Sequence, residues 1–451
     1  MDSASIRETF IKFFKSKNHK YMKPSYLVNK SDKTLMFTNA GMNQLKNVFL
    51  GLKNINEKKL VNSQPCLRIS GKHNDIDEVG IDTYHHTLFE MLGNWSINDY
   101  FKKEAIHYAW ELLTKEFKLN VDDLYITVFA GDEDDNIPMD NETYNIWAKI
   151  VSTDHIICCK KKDNFWEMGD VGPCGPCTEI HIDLRDEKEK NLTPGIKLIN
   201  TGHREVIEIW NIVFIQFERT KNNILLPLKS KFVDTGMGLE RLAMVLQKKH
   251  STYDTDIFCD YIKTLERITN HKYTSSDNDP DIAFRVISDH IRTIVMALVE
   301  GLKPSNTQEG YVIRMLIRRA QKYGINILHL DTTFLSQFVN IVISQFKDII
   351  ATYKSTVPVE EIKNIIIKEE NAFLKVLNDG KKKITLLIEK YKKNGINVIS
   401  GEEIFKIQDT YGFPIEIAKD ILKLHNMSFN KNEYEKCKIE HKHKSNKIKQ
   451  N

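Results

Sequence analysis

The chain has 451 residues, enough for two or three domains, and its 41% hydrophobic and 10% aromatic content supports real cores, which excludes general disorder. Only 20 Gly and 11 Pro exclude collagen-like and low-complexity classes, and no apolar run approaches the ~20 residues needed to span a bilayer. The net charge of +4 resides entirely in 431–451, where seven Lys face three Glu, so bulk charge demands no polyanionic partner. In chain order, Ile6, Phe10, Phe13 and Phe14 predict an amphipathic first helix rather than a secretory or transit leader. Strands are predicted at 34–38, 60–69, 88–92, 125–130, 179–183, 205–217 and 231–234, with helices at 100–117 and 238–248. They do not alternate regularly, which favours an α+β fold, a largely antiparallel sheet with helices on it. After the polar stretch 277–281 the pattern turns helical, at 282–300, 311–323, 333–353, 359–378 and 381–393. A boundary near 246–280 therefore separates a mixed half, 1–245, from a helical one, 246–430, followed by a basic tail, 431–451, that reads as a solvated helix or a disordered end. Seven Cys, two of them adjacent (Cys158 and Cys159), read as reduced thiols of an intracellular, cytoplasmic protein.

No Gly-x-x-x-x-Gly-Lys-Ser/Thr loop and no dinucleotide fingerprint is present, so bound phosphates would have to be held by side chains, and arginine suits them best. Three segments carry candidate chemistry. Cys66–Asp75 and His85–Gly93 read as strand, cationic loop and strand, a hairpin that would set Arg68 on the same cleft as Phe89. Lys231–Arg241 reads as a strand ending in Asp234, a turn through Gly236 and Gly238, and a helix opening with Arg241. Glu208-Ile209-Trp210-Asn211 sets an amide on an aromatic-flanked strand. A solvated hairpin and plain sheet core explain the first and third equally well on composition alone.

These segments, with Phe37–Gln44, Gly71–Asp75, His85-His86-Thr87, Asn164–Asp170, Gly172–Cys177, Gly310-Tyr311-Val312 and Asp409–Pro414, occur in the order found in the alanyl-tRNA synthetases, whose N-terminal part the chain resembles. The resemblance implies a class II aminoacyl-tRNA synthetase: an antiparallel-sheet domain that uses ATP and Mg²⁺ to make alanyl-adenylate from L-alanine, then charges tRNA(Ala). It implies that Arg68 grips the α-phosphate and carboxylate, that His86 and Lys72 assist the phosphates, and that Phe89 and Arg241 sandwich adenine. The backbone of Ile209 and Trp210, together with Gly238, would line the nucleotide. Asn211 and Asp234 would hold alanine, Asp234 on its ammonium, and Trp166 would wall the methyl pocket. Asn306 and Asp409 would read a G·U pair in the acceptor stem, with Arg314, Arg318 and Lys322 forming a cationic stripe. Departures from the family pattern are Gln308-Glu309 where Gly-Arg is common, Met315 for a second Arg, Lys33 for Pro and Ser70 for Gly.

Cys174-x-x-Cys177 with His181 has ligand-like spacing, but Leu184 and Glu187 stand where two further His complete a zinc site in some family members. No metal site is expected there; a turn packed on Pro173 and Pro176 is. The editing and C-terminal domains of longer members are not in this sequence. The expectation is therefore a monomer, without membrane or DNA partners, that mischarges glycine and serine. Two rivals stay open: a non-catalytic tRNA-binding paralogue, and a ligase joining alanine to another acceptor.

Overall fold

The computed structural model describes residues 1–28, 35–70 and 73–450. Lys33 and Lys72 lie outside the described residues. The chain divides into two compact units, Met1–Asn364 and Ile365–Asn451.

The first unit is built on a nine-stranded sheet: β1 (Lys20–Tyr21), β2 (Lys59–Leu67), β3 (Leu88–Ile97), β4 (Leu124–Phe129), β5 (Ile156–Cys159), β6 (Phe165–Glu167), β7 (Gly172–Asp183), β8 (Val206–Arg219) and β9 (Leu225–Gly238). The spatial order is β1-β2-β3-β9-β8-β7-β4-β5, with β6 paired onto β7. Only the edge pairs β1–β2 and β4–β5 are parallel; every inner pair is antiparallel. The α+β expectation therefore holds. Helix α1 (Ser3–Ser16) starts where the Asp2 carboxylate accepts the Ser5 N–H, and it buries Ile6, Phe10, Phe13 and Phe14. Helix α2 (Lys102–Glu111) and α3 (Leu239–Leu246) match their predicted spans apart from a π-turn at Leu112–Glu116.

The helices that follow, α4 (Asp256–Thr269), α5 (Asp279–Val299) and α6 (Gln308–Asn326), stay in the first unit. The composition change near 246–280 thus marks the passage from sheet to helices within one unit, not the division between units. Helix α5 is capped by Asn278, whose side chain accepts the Asp281 N–H, and nearly every residue from Ala283 to Val299 is buried.

The second unit carries most of α7 (Val359–Lys393), then α8 (Gly401–Tyr411), α9 (Ile415–Leu424) and α10 (Lys431–Gln450). The two helices predicted at 359–378 and 381–393 are one. Gly380 does not break it, because Phe413 packs against its bare Cα, where an added Cβ would lie 2.1 Å from the ring. The basic tail is helical rather than disordered. The predicted strand at 34–38 is irregular over its described part, Leu35–Thr38, bonded through Thr38 N–H to Leu27 O and through Thr38 O to Leu67 N–H.

Candidate active site

One sheet face, spanning β7, β8, β9 and β3, floors a cleft of about 270 Å³. Side chains alternate along a strand, so register decides which of them enter it. Glu179, Asn211 and Gly236 stand directly opposite one another on β7, β8 and β9; Cys177, Val213, Asp234 and Trp95 form the next row. Gly236 leaves a gap, because a Cβ there would come 2.8 Å from Met91 Sδ. The Trp95 ring lies against bare Gly41 and Gly93, and its Nε1–H donates to Asp234 Oδ1 at 2.6 Å. Burial pushes the Asp234 carboxyl up to about 7, with the Trp95 N–H acting against that rise.

The β2–β3 register pairs Cys66 with Phe89, and one step on, the Arg68 guanidinium sits 5.0 Å above the Phe89 ring. Arg68 Nε–H also donates to Asn39 O at 3.3 Å. Arg241, in the first turn of α3, lies 4.9 Å over the Tyr84 ring and donates to Glu208 O at 3.0 Å. Trp166 on β6, Ile209 and Gly238 complete this lining.

A buried ionic network fixes the cleft from behind. Arg7 donates to both Glu90 oxygens at 2.8 and 2.6 Å, and Ser63 Oγ–H adds a third bond at 2.7 Å. Arg292 of α5 donates to Glu240 at 2.6 Å, while Glu240 accepts the Glu90 N–H. The Arg7 and Arg292 charges hold the Glu90 carboxyl below its ordinary range despite complete burial. His86 lines the cleft but is almost wholly buried. Its Nδ1 is 3.2 Å from Asp289 Oδ1, and its ring stacks on Phe258 at 5.0 Å.

Of the predicted residues, the structure gathers Arg68, His86, Phe89, Trp166, Ile209, Asn211, Asp234, Gly238 and Arg241 around this cleft. The role expected of Trp210 is its backbone's; its side chain faces the other side of the sheet, packed on Phe10 and Phe14. Alternation along β8 sends it there when Ile209 and Asn211 face the cleft. Asn306 accepts a hydrogen bond from Arg314 Nη1 at the start of α6, and neither residue lines the cleft. In the second unit, the Asp409 carboxylate pairs with His441 Nε2 at 3.3 Å.

Sequence reasoning missed Tyr84, Trp95, Glu179, Glu208 and Glu240. The signal for Glu179 was its position opposite Asn211, which only strand register reveals. The expected turn at Cys174–Cys177 is instead part of β7, with both thiols buried. Burial pushes Cys174 up to about 12, and His181 Nε2 is engaged by Glu179 at 3.1 Å.

Residues 5–451 match the family model described as tRNA synthetases class II (A). Similar curated proteins include alanine–tRNA ligases from Christiangramia forsetii (49% identical, 94% of this chain, 48% of the relative), Cytophaga hutchinsonii (47%, 94%, 48%) and Bacteroides fragilis strain ATCC 25285 (46%, 96%, 50%). The chain thus spans about half the length of the relatives it matches. Among solved structures, Staphylococcus aureus histidyl-tRNA synthetase aligns over 59% of this chain and 75% of its own at 12% identity, with a TM-score of 0.34.

Proposed function

This chain belongs to the class II (A) tRNA synthetases, and from that premise we propose that it activates L-alanine with ATP and transfers it to tRNA(Ala). The observation that carries the reading is the convergence of Arg68 and Arg241 with Asp234 and Asn211 on one cleft beside the gap at Gly236. In the first step an oxygen of alanine's carboxylate attacks the α-phosphorus of ATP. An acyl O–P bond forms, the bond to the bridging oxygen breaks, and pyrophosphate leaves with its electron pair. In the second, a terminal ribose hydroxyl of the tRNA attacks the acyl carbon, loses its proton and displaces AMP.

The attacking carboxylate is already ionised, so the protein's task is positioning and charge neutralisation. Arg68, which pairs with no carboxylate among the described residues and lies over Phe89, is the group for the α-phosphate and carboxylate together. Arg241, held by Glu208 and Tyr84, is braced to face adenine, with Phe89 opposite. Asp234 and Asn211 meet the ammonium, and Trp166 closes the methyl pocket.

Among the described residues no group of three or more His, Cys, Asp or Glu is arranged to hold a metal ion. Glu208 on the cleft lining is the carboxylate that would hold a Mg²⁺ accompanying ATP, since Glu240 is buried against Arg292. The ion would supply neutralisation of the departing pyrophosphate.

Asn306, steadied by Arg314, and Asp409 are our candidates for reading the acceptor stem. We read the protein as cytoplasmic and monomeric; no described helix is long and apolar enough to cross a membrane. The deciding test is ATP–pyrophosphate exchange against a panel of amino acids, where alanine alone should support rapid exchange. Asn306→Ala should spare that exchange and lower tRNA charging, with wild-type charging lost on a tRNA whose G·U pair is replaced. Glycine and serine should support only slower exchange; faster exchange with any other amino acid than with alanine, or exchange with none, refutes the proposal.

A further inference from the structure

The geometry points to Glu179 as a positioning residue that locks the Asn211 side chain with its oxygen turned toward the ligand, so that the floor of the cleft offers only acceptors to an amino acid's ammonium. The inference deepens the alanine reading and rests on it.

Thr127 on β4, Glu179 on β7, Asn211 on β8 and Gly236 on β9 are direct cross-strand partners in one row. Their hydrogen bonds have fixed directions. Asn164 Nδ2 donates to the backbone oxygen of Cys177 at 3.1 Å, an atom that can only accept, and so the same NH₂ group must also donate to Thr127 Oγ1 at 2.8 Å. The Glu179 backbone N–H donates to Thr127 Oγ1 as well, at 3.2 Å. With its oxygen accepting twice, the Thr127 hydroxyl has one proton left, and it goes to Glu179 Oε2 at 3.3 Å. His181 Nε2 reaches that same oxygen at 3.1 Å. Every neighbour therefore donates to Glu179, and Asn211 completes the set by donating through Nδ2 to Oε1 at 3.0 Å.

The consequence falls on the other end of the amide. Asn211 Oδ1 is buried, has no hydrogen-bond partner and belongs to a residue lining the cleft. Asp234 lies on the same face, diagonal to Asn211 across the β8–β9 pair, within the reach of a group bridging the two. A carboxylate and an unpartnered amide oxygen on one face are acceptors suited to the N–H bonds of an ammonium. Turned over, the amide would aim N–H groups at that cation. Burial and the neighbouring Glu208 carboxylate raise the Glu179 carboxyl, and the His181 ring works against them.

The test uses Glu179→Gln in the full chain. The new side chain can donate to Asn211 Oδ1 and release the lock. Alanine KM in pyrophosphate exchange should rise about tenfold or more, with ATP KM within about twofold of wild type. Two competitive inhibitors separate positioning from general damage. L-Alaninol keeps the ammonium and should lose affinity by the same factor as alanine; L-lactate keeps the carboxylate and should not. Adding Glu179→Gln to Asn211→Ala should cost nothing further. Thr127→Ser, which keeps the hydroxyl, should leave these quantities near wild type, whereas Thr127→Val, which removes the donor to Glu179 and the acceptor of Asn164 and the Glu179 N–H, should raise alanine KM and spare ATP KM, and this pair serves if the Gln variant is unstable. Equal loss for alaninol and lactate, a parallel rise in ATP KM, or full additivity with Asn211→Ala overturns the inference. Failure of wild-type enzyme to use alanine would instead overturn the functional reading beneath it.

Discussion

Asp234→Asn should make the protein more stable and nearly inactive. The carboxyl is 5% exposed, its one hydrogen bond comes from Trp95, and burial lifts it from the ordinary 3.8 to about 7. Between those values the folded chain holds a proton that the unfolded chain releases, so this group's contribution falls as pH rises through that window, by 1.36 kcal/mol per pH unit. Above pH 7 the ionised form costs about 4 kcal/mol. The amide keeps the shape and an oxygen for Trp95 but never ionises. Urea unfolding of both proteins from pH 4 to pH 8 checks this. The variant's advantage should be near zero at pH 4 and grow to about 4 kcal/mol at pH 8. Alanine KM should rise by about two orders of magnitude, because the ammonium loses its charged partner. Wild-type alanine KM should itself climb as pH drops below 7, where Asp234 must first give up its proton. A stability difference that stays flat with pH, or a variant less stable at pH 8, would refute the reasoning.

Three further outcomes follow from the geometry. Arg68→Ala should lower adenylate formation by roughly 10²–10³-fold while circular dichroism and unfolding midpoint stay near wild type, since among the described residues the side chain is tied by one long bond to Asn39 O and by the Phe89 face. Gly175→Ala should destabilise by roughly 3 kcal/mol or more, measured by urea unfolding, because its Cβ would sit 2.0 Å from Phe214 O, a backbone atom that cannot step aside. His19, buried between Phe14 O and Tyr100 Oη, titrates near 4 rather than 6.5 because burial disfavours its cation. The unfolded chain protonates first, so about 3 kcal/mol should be lost as pH falls from 6.5 to 4; His19→Gln should flatten that part of the wild-type pH–stability curve.

The antiparallel sheet was legible because short β-rich runs that do not alternate regularly with helices admit few other layers. The cations Arg68 and Arg241 were legible because each stands at a strand end or a helix start beside Gly or an aromatic. The polar row from Thr127 to Asn211 was not, since its members lie 52 and 32 residues from Glu179 and meet only through register. The placement of the Trp210 side chain on the far face was hidden for a related reason. A motif names neighbours along the chain, while a strand turns successive neighbours to opposite faces. The division between units was hidden because composition changes where sheet gives way to helix, whereas compactness follows the salt bridges and buried side chains of α5.

Those α5 contacts set a limit on dissection. A fragment ending at 245 would leave Glu240 without Arg292, and Thr87 with His86 without Asp289, stranding charge and hydroxyl in a newly opened interior. The shortest autonomous catalytic piece must therefore run beyond Val299, and attempts to graft the sheet alone onto another acceptor-recognition module would begin from an unfolded chain.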